Sequence, residues 1–221
     1  MVLSLFRKGP TGLEHVSARA VGMLGDARHS FDLATIALLT GGEPDAVAAD
    51  IRATDERINV TEQELRSELI VHVAVQGRPD DIGSVLSMIL LLKKIERLGD
   101  QAKNMLDLAE MGVSLESAAD HEAMLDERAV ISAMFNEAAD LLSEPDETRL
   151  DDFSRRGLQL MDAHNARIER YVHSERPGVE VVPLAIYYRY LKRIVANLLG
   201  VARMASEPVT TPDDPDIDAE V

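Results

Sequence analysis

The chain has no cysteine and no tryptophan. The first absence excludes disulfide staples, thiolate metal sites and a cysteine nucleophile. Aromatic residues are few, four Tyr and four Phe, which suits a helical bundle better than a sandwich. Bases are scarce against acids, 23 to 39, for a formal net charge of -16 and a pI near 4.7. Such a chain lacks the clustered cations that phosphate backbones require, and anionic lipid surfaces repel it. Met88–Leu92 is as long as any unbroken apolar run, against the ~20 residues of a membrane span. Met1–Lys8 places its positive charges after its apolar residues, the wrong order for a secretory signal. The expectation is a soluble, cytoplasmic chain. What is present is a 46% hydrophobic composition over 221 residues, enough for one large domain or two small ones.

Proline punctuates the chain. Helix interiors exclude it because it lacks the donor and clashes with the preceding turn, and all nine prolines fall at plausible element boundaries. Between them the pattern predicts six helices: Gly12–Thr40, closed by Gly41-Gly42; Pro44–Gln76; Pro79–Met111; Leu115–Leu142, capped by Ser114; Pro145–Glu175; and Pro183–Ser206. The β-branched runs Ile70–Val75 and Val179–Val182 are the candidates for short strands. Long–loop–long–loop–long recurs twice, and Leu91–Leu98 can be laid over Tyr187–Ile194, a weak internal repeat. The fold class expected is all-α, two tandem three-helix bundles. An arm (1–11) precedes the first bundle (12–112), the second spans 113–206, and an acidic tail (207–221), with three prolines and no bases, is expected to be disordered. Met1–Phe6 reads as a frayed end or a strap on the first helix.

Catalytic signatures are missing. There is no Gly-rich phosphate loop, nucleophile elbow or His-Glu-x-x-His. No histidine follows a Glu by three residues, as ferritin-like di-iron sites need. His29 reads as a solvated helix residue; His164 and His173 are the candidates for a second site, but nine residues separate them, which does not put them on one helix face. Tyr187, Tyr188 and Tyr190 read as core and interface.

One constellation carries chemistry. Val85–Leu92 is apolar nearly all round, the mark of a central helix, and Lys93–Asn104 follows it directly. Glu96 and Asp100 stand one turn apart, about 5–6 Å between Cβ atoms, and repel unless a cation lies between them. Spacing alone decides nothing: eight acid pairs share it, about what chance gives for this many acids. Lys93, three before Glu96, and Arg97 and Lys103, each three from Asp100, also supply a salt-bridged reading without any metal.

Glu96-Arg97-Leu98-Gly99-Asp100-x-Ala102-x-Asn104 resembles the signature of the PhoU family, bacterial regulators of phosphate uptake and phosphate signalling. Asp55-Glu56-Arg57-Ile58-Asn59, followed by Glu62 to Glu68, is similar to the family's acidic motif on the second helix. Gln76-Gly77-Arg78-Pro79 resembles its turn before the third. The resemblance implies two three-helix bundles and acidic motifs that hold iron, zinc or another divalent cation. Carried over, the metal candidates are Glu96, Asp100 and Asp55, with Asn59 where the family often has Asp. Gln101 departs from the family's frequent His. Lys192 and Ala196 occupy the matching positions of the second half, and a protonated lysine ligates no cation, so at most one metal site is expected, in the first half.

The leading expectation is therefore a non-enzymatic regulator that contacts phosphate-transporter or sensor-kinase components, as a homodimer, with no nucleic acid and no integral membrane segment. A metal-free helical adaptor or dimerisation protein is the alternative, and a metal-dependent enzyme is a further one.

Overall fold

The structure, a computed structural model, describes residues 12–76 and 81–206. The arm, the turn at 77–80 and the acidic tail lie outside the described residues. Six helices follow in order: α1 Gly12–Thr40, α2 Asp45–Gln76, α3 Asp81–Glu110, α4 His121–Ser143, α5 Glu147–Val172 and α6 Gly178–Ser206. The all-α reading holds, with no strand among the described residues. Ile70–Val75 lies within α2 and Val179–Val182 within α6. The helix penalty of a β-branched residue is only a few tenths of a kcal/mol, less than a long packed helix recovers around it.

Glycine closes α1 and α3, as Gly41 at φ 63° and Gly112 at φ 84°, in the left-handed region a side chain disfavours. Asp146 caps α5 by accepting from the Arg149 backbone N–H at 2.9 Å. Two boundaries differ from the sequence reading by five residues or more. α4 starts at His121 rather than Leu115, because the Leu115 N–H donates to Leu38 O of α1 at 2.8 Å. Leu115 itself is buried, and Ser114 only accepts from Glu116 N within the loop. α6 starts five residues early and carries Pro183 inside it. That proline forfeits a bond to the carbonyl of Val179, a residue 83% exposed, so water can serve the freed acceptor.

α1, α2 and α3 pack on one another, and α6 packs on both α4 and α5; α1 against α4 and α3 against α6 join the two sets. Buried apolar residues of both sets form one contiguous cluster. Phe31 of α1 stacks on Phe135 of α4 at 5.5 Å between ring centroids. Above that stack, Arg128 Nη2 donates to Asp32 Oδ1 at 2.8 Å, Ser132 Oγ donates to Asp32 Oδ2 at 3.1 Å, and Arg28 Nη1 donates to Asn136 Oδ1 at 2.8 Å. α3 is the central helix its composition predicts, touching α1, α2 and α6. No described helix is long and apolar enough to cross a membrane.

Candidate functional site

The acidic seam lies between α2 and α3. Gly99 allows the two helices to approach: a Cβ there would stand 3.0 Å from Ile58 Cδ1 and 3.7 Å from Asp55 Oδ1. Asp55 is thereby buried to 9% exposure, a burial a carboxylate tolerates only when paired. Its partner comes from the facing helix. Lys103 Nζ donates to Asp55 Oδ2 at 2.7 Å and lies 3.5 Å from Asp100 Oδ1. Asn59 Nδ2 reaches the same Asp55 oxygen at 3.5 Å. The Asp55 hydrogen bond holds the Lys103 ammonium above the usual lysine range, outweighing the opposing effect of burial. Glu96 has a different partner, Lys93 Nζ at 2.8 Å on its own helix.

Asp55 and Asp100 thus share one ammonium, with the Asn59 amide donating to Asp55, while Glu96 pairs separately. No group of three or more His, Cys, Asp or Glu that could hold a metal ion exists among the described residues. As arranged, the donor set fits a monovalent ammonium and does not fit an added divalent ion: Asp55 Oδ2 already accepts from Lys103, and Asn59 turns its NH2, not its carbonyl, toward that oxygen.

A second polar cluster, in the other three helices, was only partly visible to sequence reasoning. Glu127 of α4 and His164 of α5 are both buried. His164 Nε2 stands 3.2 Å from Glu127 Oε1, and Arg167 Nη1 lies 2.7 Å from the same oxygen. Burial works against the Glu127 charge, but His164 and Arg167 outweigh it and hold the carboxyl below its usual range. The Arg167 guanidinium also lies 4.8 Å over the Tyr188 ring. Tyr188 in turn donates to Asp120 Oδ2 at 3.0 Å. Tyr187 and Tyr188 are fully buried, and burial drives both phenols well above their usual range, so at neutral pH each is an un-ionised hydroxyl. The cluster's members come from three helices and form no linear motif; sequence reasoning singled out His164, Tyr187 and Tyr188 and missed Glu127 and Arg167. His173 takes no part, standing at the C-cap of α5. His29 is exposed, as expected, but pairs with Asp50 Oδ2 at 2.8 Å.

Residues 21–109 match the PhoU domain family model. The matched stretch contains the Glu96–Asn104 string together with Asp55, Asn59 and Lys103, so the PhoU resemblance read from the sequence holds where its motifs lie. The fold is similar to that in the crystal structure of PhoU from Pseudomonas aeruginosa, with a TM-score of 0.75 at 19% sequence identity. The alignment covers 88% of this chain and 95% of that one, so the architectural likeness extends through α4–α6, beyond the PhoU domain match. No curated protein matches.

Proposed function

We propose that the chain is a PhoU-like regulator of phosphate uptake or phosphate signalling, non-enzymatic and cytoplasmic, acting by contact with phosphate-transporter or sensor-kinase components. The observation that carries this reading is the PhoU domain match over residues 21–109, on a fold that likeness to a PhoU structure extends over most of the chain.

A surface suited to contact supports it. The first half of α3 is apolar nearly all round, yet Ile82, Leu86 and Leu90 are 46–49% exposed. Their spacing of four puts them in one row. Val71 and Val75, at the end of the adjoining α2, are exposed as well. Apolar side chains grouped in this way mark contact surfaces rather than the scattered exposure of any soluble chain.

Affinity capture from phosphate-replete and phosphate-starved cells tests the proposal. The expected result is recovery of transporter or sensor-kinase components by the native chain. Leu86→Glu combined with Leu90→Glu should lose at least tenfold in recovery while melting within about 2 °C of the parent, since surface changes of this kind cost little stability. Recovery of unrelated proteins alone contradicts the reading.

A further inference from the structure

The α2–α3 seam poses a charge question that its sequence pattern answers only in part. Asp55 is buried to 9%, whereas the Asp100 side chain is 40% exposed and keeps contact with water, so it is the Asp55 charge that needs a cation beside it. The structure supplies one from within the chain. Lys103 Nζ is 2.7 Å from Asp55 Oδ2 and 3.5 Å from Asp100 Oδ1, joining a carboxylate of α2 to one of α3. A divalent ion at the same position would have to displace the ammonium, strip it of both pairs, and remain beside it against Coulomb repulsion.

We propose that the seam carries its own cation: the Lys103 ammonium takes the place of a divalent ion, so the native chain holds no metal at Asp55, Asn59 and Asp100. Removing that ammonium exposes an oxygen-donor set for a hard cation. Both carboxylates become available, and the Asn59 amide, once rotated, presents its carbonyl oxygen. Oxygen donors without sulfur or imidazole select a hard ion such as Mn2+ over soft metals. The inference is independent of what the chain regulates, since it rests on the seam geometry alone.

The test is Mn2+ titration of the full chain by calorimetry, with free Mn2+ followed by electron paramagnetic resonance. The native chain and Lys103→Arg, which keeps the cation, should show no one-equivalent binding up to 1 mM in order of magnitude. Lys103→Met should bind one equivalent at least tenfold more tightly than the native chain. It should melt lower than the native chain and regain part of that loss with Mn2+, and Asp55→Asn added to Lys103→Met should abolish both effects. Stoichiometric micromolar binding of Mn2+, Zn2+ or iron by the native chain, lost in Asp55→Asn, overturns the proposal. So does a folded Lys103→Met chain that binds no better than the native one. The native titration decides the first point even where the Met variant fails to fold.

Discussion

Glu127 shows how a single buried charge is made tolerable and what that implies for acid stability. Its carboxyl is held below the ordinary glutamate value of 4.5, burial notwithstanding, by His164 and Arg167. A group whose pKa is depressed in the folded state contributes stability above its unfolded value and loses it as pH falls through the folded value. The contribution is therefore complete at neutral pH and lost below about 4.5. Glu127→Gln should lower stability at pH 7 by about 1–3 kcal/mol, by leaving Arg167 less well paired, and should flatten the acid limb of the unfolding curve. Urea melts between pH 7 and pH 3 check it; an unchanged acid limb would show that other carboxylates govern acid unfolding. At this scale the sequence was half legible. The i,i+3 spacing correctly joins Lys103 to Asp100 and Lys93 to Glu96. The stronger Lys103–Asp55 pair depends on how α3 is rotated against α2, which no local spacing encodes. The Glu127–His164–Arg167 cluster depends likewise on packing between helices.

Helices were the most legible level, because proline and glycine act locally. α1 ends where Gly41 takes a positive φ, and the sequence placed it there. The start of α4 was not legible: the backbone donor of Leu115 is spent on Leu38 of α1, a tertiary choice. α6 tolerates Pro183 near its start for a reason visible only in exposure. Helix crossings set the demands on individual glycines. A Cβ on Gly157 of α5 would stand 2.5 Å from Leu199 Cδ2 and 2.9 Å from its Cγ on α6. In an open helix Gly→Ala stabilises by about 1 kcal/mol. Here the overlap involves the branch carbon of a buried leucine, which cannot swing aside, so the sign reverses. Gly157→Ala should destabilise by about 1–3 kcal/mol, read as a lower thermal midpoint in calorimetry; a raised midpoint would mean that α5 and α6 are farther apart than described.

Over the whole molecule, the two helix sets repeat a pattern and share a core. Leu91, Leu92, Ile95 and Leu98 are all buried, as are Tyr187, Tyr188, Leu191 and Ile194 at the positions laid over them. The weak internal repeat therefore has a physical meaning: the same helix face turns inward in α3 and in α6. The sequence does not display the α1–α4 and α3–α6 seams that fuse the two sets into one apolar cluster. Those seams consist of long-range pairs such as Phe31 with Phe135. The apolar row on α3 is the surplus left after the core is filled, and it links the architecture to the regulation by contact proposed above. The most direct measurement is phosphate uptake by cells lacking this chain, grown in replete and starved medium, with the gene restored as native or as Leu86→Glu/Leu90→Glu. The account predicts that uptake ceases to adjust to phosphate supply without the chain, that the native chain restores the adjustment, and that the double variant, folded and equally abundant, does not. Uptake that adjusts normally in the chain's absence would contradict it.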